Sequence, residues 1–214
     1  MNLGQMLEEV VGGYGKKTAI VSGDRRLSYA ELDEASNKVA NSLISMGVNK
    51  GDRVATLLTD SPEFVIIYFG IVKAGSIAVP LNPTYKVDEL ASLFDNCQPK
   101  VLVAESPTLE SLVPALPRFK SIKHVIDSGS KYEGQFPGYR EIMATSSTQR
   151  IEVEPEPEDI ATISYTGGPT NRPRGAMFSH RNLCTEAIIS RDGFQQTNKD
   201  IMMLFALPLF HMFG

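Results

Sequence analysis

The spacing of apolar and polar positions changes repeatedly along the chain, and the changes divide it into short elements. Thr18 to Ser22 reads as a strand, Gly23-Asp24 as a turn, and Arg26 to Ser28 as the returning strand. Ser28 followed by Glu31 is a capping-box pattern, in which the serine oxygen accepts a first-turn N–H and the glutamate reaches back. A helix over Tyr29 to Met46 is predicted, with Leu32, Ala35, Val39, Leu43 and Met46 at helical spacing and Gly47 as its stop. A β-type run follows from Arg53 to Leu58. Ser61-Pro62-Glu63 then supplies a cap, a first-turn proline and an acid at the positive end of the dipole, opening a helix over Glu63 to Lys73. That helix is apolar nearly all round, which predicts burial on most faces.

The alternation continues with a strand at Ser76 to Val79, a helix at Val87 to Asn96 and a strand at Lys100 to Ala104. A weaker helix around Thr108 to Leu112 and a strand at Ile122 to Ile126 come next. Apolar strands alternating with helices predict an α/β fold: a parallel-rich sheet with helices on both faces. Residues 128–159 break the pattern. They are polar, contain Gly and Pro, and end in Ile-Glu-Val-Glu-Pro-Glu-Pro-Glu-Asp. Regular structure resumes at once, so this stretch is predicted to be a polar surface connection within one domain. A strand at Ile160 to Tyr165 and a helix at Arg181 to Arg191 complete the pattern.

Composition narrows the function classes. The 214 residues are 42% hydrophobic and 21% charged with a formal net charge of −4, a globular balance with no cationic field to recommend nucleic acid. Cys97 and Cys184 fit no zinc or redox spacing and are predicted to be small buried apolar residues. Met1 to Val10 carries two glutamates and no basic region, unlike a signal peptide. The longest apolar runs, Phe64 to Val72 and Ile201 to Phe210, fall short of the ~20 residues that span a bilayer, so a cytoplasmic location is expected.

The chemistry concentrates in Thr166-Gly167-Gly168-Pro169-Thr170-Asn171-Arg172-Pro173-Arg174-Gly175. A strand, a loop of this composition and then a helix form an arrangement that cradles phosphate. Glycine lets the backbone approach an anion, hydroxyls donate, arginine supplies charge, and the following helix adds its positive end. The loop matches neither the common NTPase fingerprint nor G-x-G-x-x-G. On these residues alone, a phosphate cradle and an exposed turn-rich loop both stand.

Seven strings, in order, resemble the adenylate-forming acyl-CoA synthetases. Family members carry a loop similar to Tyr-Thr-Ser-Gly-Thr-Thr-Gly-x-Pro-Lys-Gly, and this chain reads Tyr165 to Gly175 as given above. Upstream lie Leu27-Ser28-Tyr29-Ala30-Glu31-Leu32, Gly51-Asp52-Arg53-Val54-Ala55, Asp60 before Ser61-Pro62-Glu63-Phe64, and Lys73-Ala74-Gly75 before Val79-Pro80-Leu81-Asn82-Pro83. Downstream lie Ser179-His180-Arg181-Asn182-Leu183 and Leu207-Pro208-Leu209-Phe210-His211-Met212-Phe213-Gly214. The resemblance implies a two-step reaction. A carboxylate attacks the α-phosphate of ATP, pyrophosphate leaves, and the thiol of coenzyme A takes the acyl group from the acyl-adenylate. It also implies Mg²⁺ with the nucleotide. It makes the loop, from Thr166, Gly167, Gly168, Pro169, Thr170, Asn171, Arg172 and Pro173 to Arg174, the holder of the ATP phosphates. His211, Met212, Phe213 and Gly214 become the acyl-pocket segment, with His211 near the substrate carboxylate. The apolar Met and Phe neighbours suit a fatty or aromatic acid.

The loop also departs from the family pattern. Gly167 removes one hydroxyl, Pro169 removes a hydroxyl and a backbone donor, and Asn171 stands in place of a glycine. Arg174 keeps the charge of a lysine in a planar fork. Of the other histidines, His124 is expected to be structural and His180 to cap or pack the helix after the loop.

The later motifs of the family, including its small C-terminal domain, do not occur. The resemblance therefore implies the first part of the large N-terminal domain, inactive by itself, with uncovered apolar surface around Ile201 to Phe205 that favours self-association. Two other readings stand beside it: a non-catalytic nucleotide- or phosphate-binding module, and a degenerate relative acting as an interaction protein.

Overall fold

The computed structural model describes residues 1–129, 131–132, 134–165, 174–197 and 207–211. The elements in chain order are α1 (Leu3–Tyr14), β1 (Thr18–Ser22), β2 (Arg25–Ser28), α2 (Tyr29–Ser45), β3 (Arg53–Leu57), α3 (Pro62–Lys73), β4 (Ile77–Pro80) and α4 (Val87–Cys97). They continue with β5 (Val101–Ala104), α5 (Ser106–Leu112), a 3₁₀ turn (Val113–Arg118), β6 (His124–Asp127), α6 (Tyr139–Thr145), β7 (Ile160–Tyr165), β8 (Gly175–Ser179) and α7 (His180–Gly193).

Local chemistry accounts for the starts. Ser28 and Glu31 form the predicted capping box of α2, and Ser61 accepts from Phe64 N–H at the start of α3 with Pro62 in the first turn. Helix α3 is nearly enclosed, as its all-round apolar sequence requires: Phe64, Ile66, Ile67, Ile71 and Val72 are all buried.

β1 and β2 form a separate antiparallel pair. The main sheet has the order β6-β5-β3-β4-β7-β8, parallel except for the antiparallel pair β7 and β8. One face carries a core contributed by α1, α2 and α3, with Leu32, Leu43, Ile67 and Ile71 at its centre. The other carries α4, α5 and the 3₁₀ turn, around Leu90, Phe94, Leu109 and Leu112. Helices on both faces of a parallel-rich sheet are the architecture the periodicity predicts.

Three elements differ from the sequence expectations. Helix α1 opens on Asn2, which caps Gln5 N–H while the Gln5 side chain returns to Asn2 N–H. The stretch 128–159, expected as surface connection, contains α6, which buries Ile142 in the first core. Strand β8 lies between the candidate loop and α7, so the order is strand, loop, strand, helix. Both cysteines are buried and unpaired, as expected.

Candidate functional site

Parallel strands gather their C-terminal ends, and the loops that follow them, along one edge of the sheet, where α/β folds place their ligands. Asp60 follows β3 on this edge, and Tyr165 ends β7 there. The chain departs from β3 and β5 to helices on opposite faces, which makes a crevice between them at this edge. Glu105 closes it: its carboxylate accepts from Thr59 N–H at 2.8 Å and from Thr59 Oγ1 at 2.6 Å. The open part of the edge is displaced toward β7 and β8.

There the candidate loop joins two strands of a tight hairpin. Tyr165 pairs with Gly175 in the last rung before it. A Cβ on Gly175 would lie 2.5 Å from Ile163 Cγ2 and 3.2 Å from Tyr165 Cζ, so only glycine allows the strands to close here. The Tyr165 hydroxyl donates to Asn96 Oδ1 at 2.5 Å, tying the root of the loop to the last turn of α4. Burial raises the Tyr165 hydroxyl pKa above the usual tyrosine range, and it pushes the adjacent Cys97 thiol up to about 11. Both groups stay protonated at neutral pH. Arg174 is exposed at the loop's exit. Thr166, Gly167, Gly168, Pro169, Thr170, Asn171, Arg172 and Pro173 lie outside the described residues, as do Met212, Phe213, Gly214 and the apolar residues 201–206.

The expected help from a helix N-terminus is corrected by the hairpin. Ser179 pairs with Ile160, so α7 begins at the far end of β7, roughly 16 Å of strand away from the loop. Its first N–H groups are already used: His180 N donates to Asp159 O at 3.0 Å and Arg181 N to Pro157 O at 2.8 Å. The positive end of this helix does not face the loop.

His180 is a packing residue, as expected of it, and only 1% exposed. Its Nδ1 accepts the Leu3 N–H at 3.2 Å, while Asn2 Nδ2 donates to Pro155 O at 2.9 Å. Burial lowers the His180 pKa to about 4 against the opposing pull of Asp159, so the ring is neutral and free to accept. His124 lies on β6, away from the hairpin.

His211 sits at the carboxyl edge. The Leu209 N–H donates to Asp60 Oδ1 at 2.8 Å, anchoring the 207–211 turn to the loop after β3. With Leu209 and Phe210 it lines a cavity of about 880 Å³ between α3, β7, β8 and α7. Phe64, Tyr68 and Phe69 supply the α3 wall, with Thr162 and Ser164 in the floor from β7. Tyr68 OH and Thr162 Oγ1 are hydrogen bonded at 2.7 Å. The volume lies within the range of small-molecule sites, which are mostly apolar with a few placed polar groups. Of this cavity only the His211 segment was legible in the sequence, because Tyr68 and Thr162 meet only through the fold. No group of three His, Cys, Asp or Glu that could hold a metal ion occurs among the described residues. No helix among them is long and apolar enough to cross a membrane.

The family model described as AMP-binding enzyme matches residues 7–214. A medium/long-chain-fatty-acid–CoA/3-oxocholest-4-en-26-oate–CoA ligase of Mycobacterium marinum is 34% identical, over 86% of this chain and 35% of its own. A crotonobetaine/carnitine–CoA ligase of Salmonella enteritidis PT4 is 31% identical, over 99% of this chain and 42% of its own. Among solved structures, ATP-bound MatB from Rhodopseudomonas palustris superposes with a TM-score of 0.85 at 30% identity, covering 99% of this chain and 41% of that one. A long-chain-fatty-acid-CoA ligase (FadD1) from Archaeoglobus fulgidus gives 0.88 at 26% identity, covering 99% and 42%. The chain thus spans between 35% and 42% of the length of these relatives. With a match over nearly its whole length, this chain belongs to the AMP-binding enzyme family.

Proposed function

We propose that the chain is the N-terminal portion of an ATP-dependent acyl-CoA synthetase, converting a carboxylic acid, ATP and CoA to acyl-CoA, AMP and pyrophosphate through an acyl-adenylate. One observation carries the reading: the root of a Gly-, Thr- and Arg-containing hairpin loop and a largely apolar cavity lie side by side at the carboxyl edge of the sheet. An acid in that cavity would present its carboxylate toward a nucleotide held by the loop. The two would then be oriented for attack on the α-phosphate without a diffusional search.

In this reading the residues 166–174 hold the ATP phosphates, with Arg174 supplying charge to the departing pyrophosphate. Mg²⁺ would accompany the nucleotide, bound mainly through phosphate oxygens. The aromatic wall from α3 and Phe210 takes the apolar body of the acid, with His211 toward its carboxylate. Those walls suit a fatty or aromatic acid, in keeping with the substrate in the name of the mycobacterial relative. We assign the protein to the cytoplasm on the same reading, since CoA and ATP are supplied there.

The chain alone is expected to bind ATP and a fatty acid but not to complete adenylation. Incubated with ATP, Mg²⁺ and decanoate, it should release pyrophosphate only at background. Turnover by the purified chain would show that 214 residues suffice.

A further inference from the structure

Alternation along β7 divides its side chains between the two faces of the sheet. Ile163 and Tyr165 pack on the α4 side, whereas Thr162 and Ser164 point to the cavity floor. Both cavity-facing residues are polar and nearly enclosed, at 6% and 5% exposed. Their hydroxyls are in different situations. That of Thr162 is taken by Tyr68. That of Ser164 makes no hydrogen bond among the described residues, and Ser164 borders open space in the cavity. Ser76 differs again, since its hydroxyl is sealed in without a partner.

The Ser164 hydroxyl faces the cavity with no protein partner among the described residues, so a ligand that displaces the cavity's water must itself supply the hydrogen bond. We propose that Ser164 is a substrate-binding residue that donates its hydroxyl hydrogen to a carboxylate oxygen of the acid. This rests on the synthetase reading above.

Position selects the ligand group. Ser164 lies next to Tyr165, the last rung of β7 before the loop, whereas Thr162 lies a further two residues back along the strand. The end of an acid that must meet a nucleotide phosphate belongs at Ser164, and its apolar body belongs against Phe64, Phe69 and Phe178. Beside Tyr68, the charged or titratable groups on the wall among the described residues are Arg181, Glu186 and His211. Arg181 is already paired with Glu158. A serine hydroxyl rotates to donate and needs no counter-charge of its own.

Calorimetric titration of the whole chain with decanoate, and with decan-1-ol as a neutral probe of equal length, tests the assignment. Ser164→Ala should weaken decanoate binding about tenfold, the scale of one lost hydrogen bond to a charged group, and leave decanol within about twofold. Ser164→Thr, which retains a hydroxyl, should keep decanoate binding within about twofold of the parent chain, and both variants should keep the parent melting midpoint. Equal loss of both probes in Ser164→Ala would reduce the residue to a packing role. Unchanged decanoate affinity would overturn the assignment while leaving the synthetase reading intact. If the parent chain bound no decanoate, the placement of the acid in this cavity would fail, and this inference with it.

Discussion

At the scale of single residues, buried polar groups fasten remote parts of the chain together. The neutral His180 ring joins the start of α1 to the start of α7 by accepting from Leu3 N–H. Its pKa falls from 6.5 to about 4 in the folded chain because burial penalises the charged ring. Below pH 6.5 the unfolded chain takes up a proton that the folded chain refuses. The stabilisation is therefore complete above pH 6.5 and is lost as pH falls toward 4, at most about 3 kcal/mol. Urea unfolding across that window should show the loss, and His180→Gln should flatten it; an unchanged slope in the variant would contradict the assignment. Lys73 is only 5% exposed, with its ammonium 2.5 Å from Asp33 Oδ1 and 2.7 Å from Asn37 Oδ1. Asp33→Ala leaves that charge only the more distant Glu8 carboxylate at 3.8 Å and should cost about 3 kcal/mol in urea unfolding. Replacing both partners, Lys73→Met with Asp33→Leu, should cost less than Asp33→Ala alone. None of these pairings was legible in the sequence, where Asp33 and Lys73 are separated by most of two helices and a strand.

Between elements, α2 and α3 approach closely. A Cβ on Gly70 would lie 2.5 Å from Val39 Cβ and 3.0 Å from Ser36 O, so the two helices pack at glycine distance. Gly70→Ala should lower stability by about 2 kcal/mol by overpacking. Combined with Val39→Ala, it should be less damaging than the separate losses added together, as neighbours in contact require. Additive losses would mean that the helices do not meet there. Elements with strong periodicity or caps were legible: α2 from Ser28 and Glu31, α3 from Ser61 to Glu63, and β3, β5 and β7 from short apolar runs. Helix α1 carries an equivalent signal in Asn2 and Gln5. Helix α6 buries only Ile142 and has too little periodicity to stand out from polar surroundings. Strand β8 is five residues that sequence alone does not separate from the helix they lead into. This extra strand carries the start of α7, and with it the helix dipole, to the opposite edge of the sheet.

Over the whole molecule, the carboxyl edge gathers the loop root, the cavity and the His211 turn. Strand β8 and the end of α7 expose apolar residues, with Met177 at 66% and Phe194 at 69% exposure. Apolar surface of this kind promotes association. Light scattering should give a mass that rises with concentration, and Met177→Ser with Phe194→Ser should reduce the rise. A constant monomer mass would contradict it.

The central claim is that the loop between β7 and β8 holds the phosphates of ATP. Calorimetric titration of the chain with Mg²⁺ and ATP, in parallel with Arg174→Ala, tests it most directly. Saturable binding that weakens about tenfold in the variant, the scale of one charge-assisted contact, is the predicted result. The absence of binding in the parent chain, or an affinity that Arg174→Ala leaves unchanged, would contradict the claim.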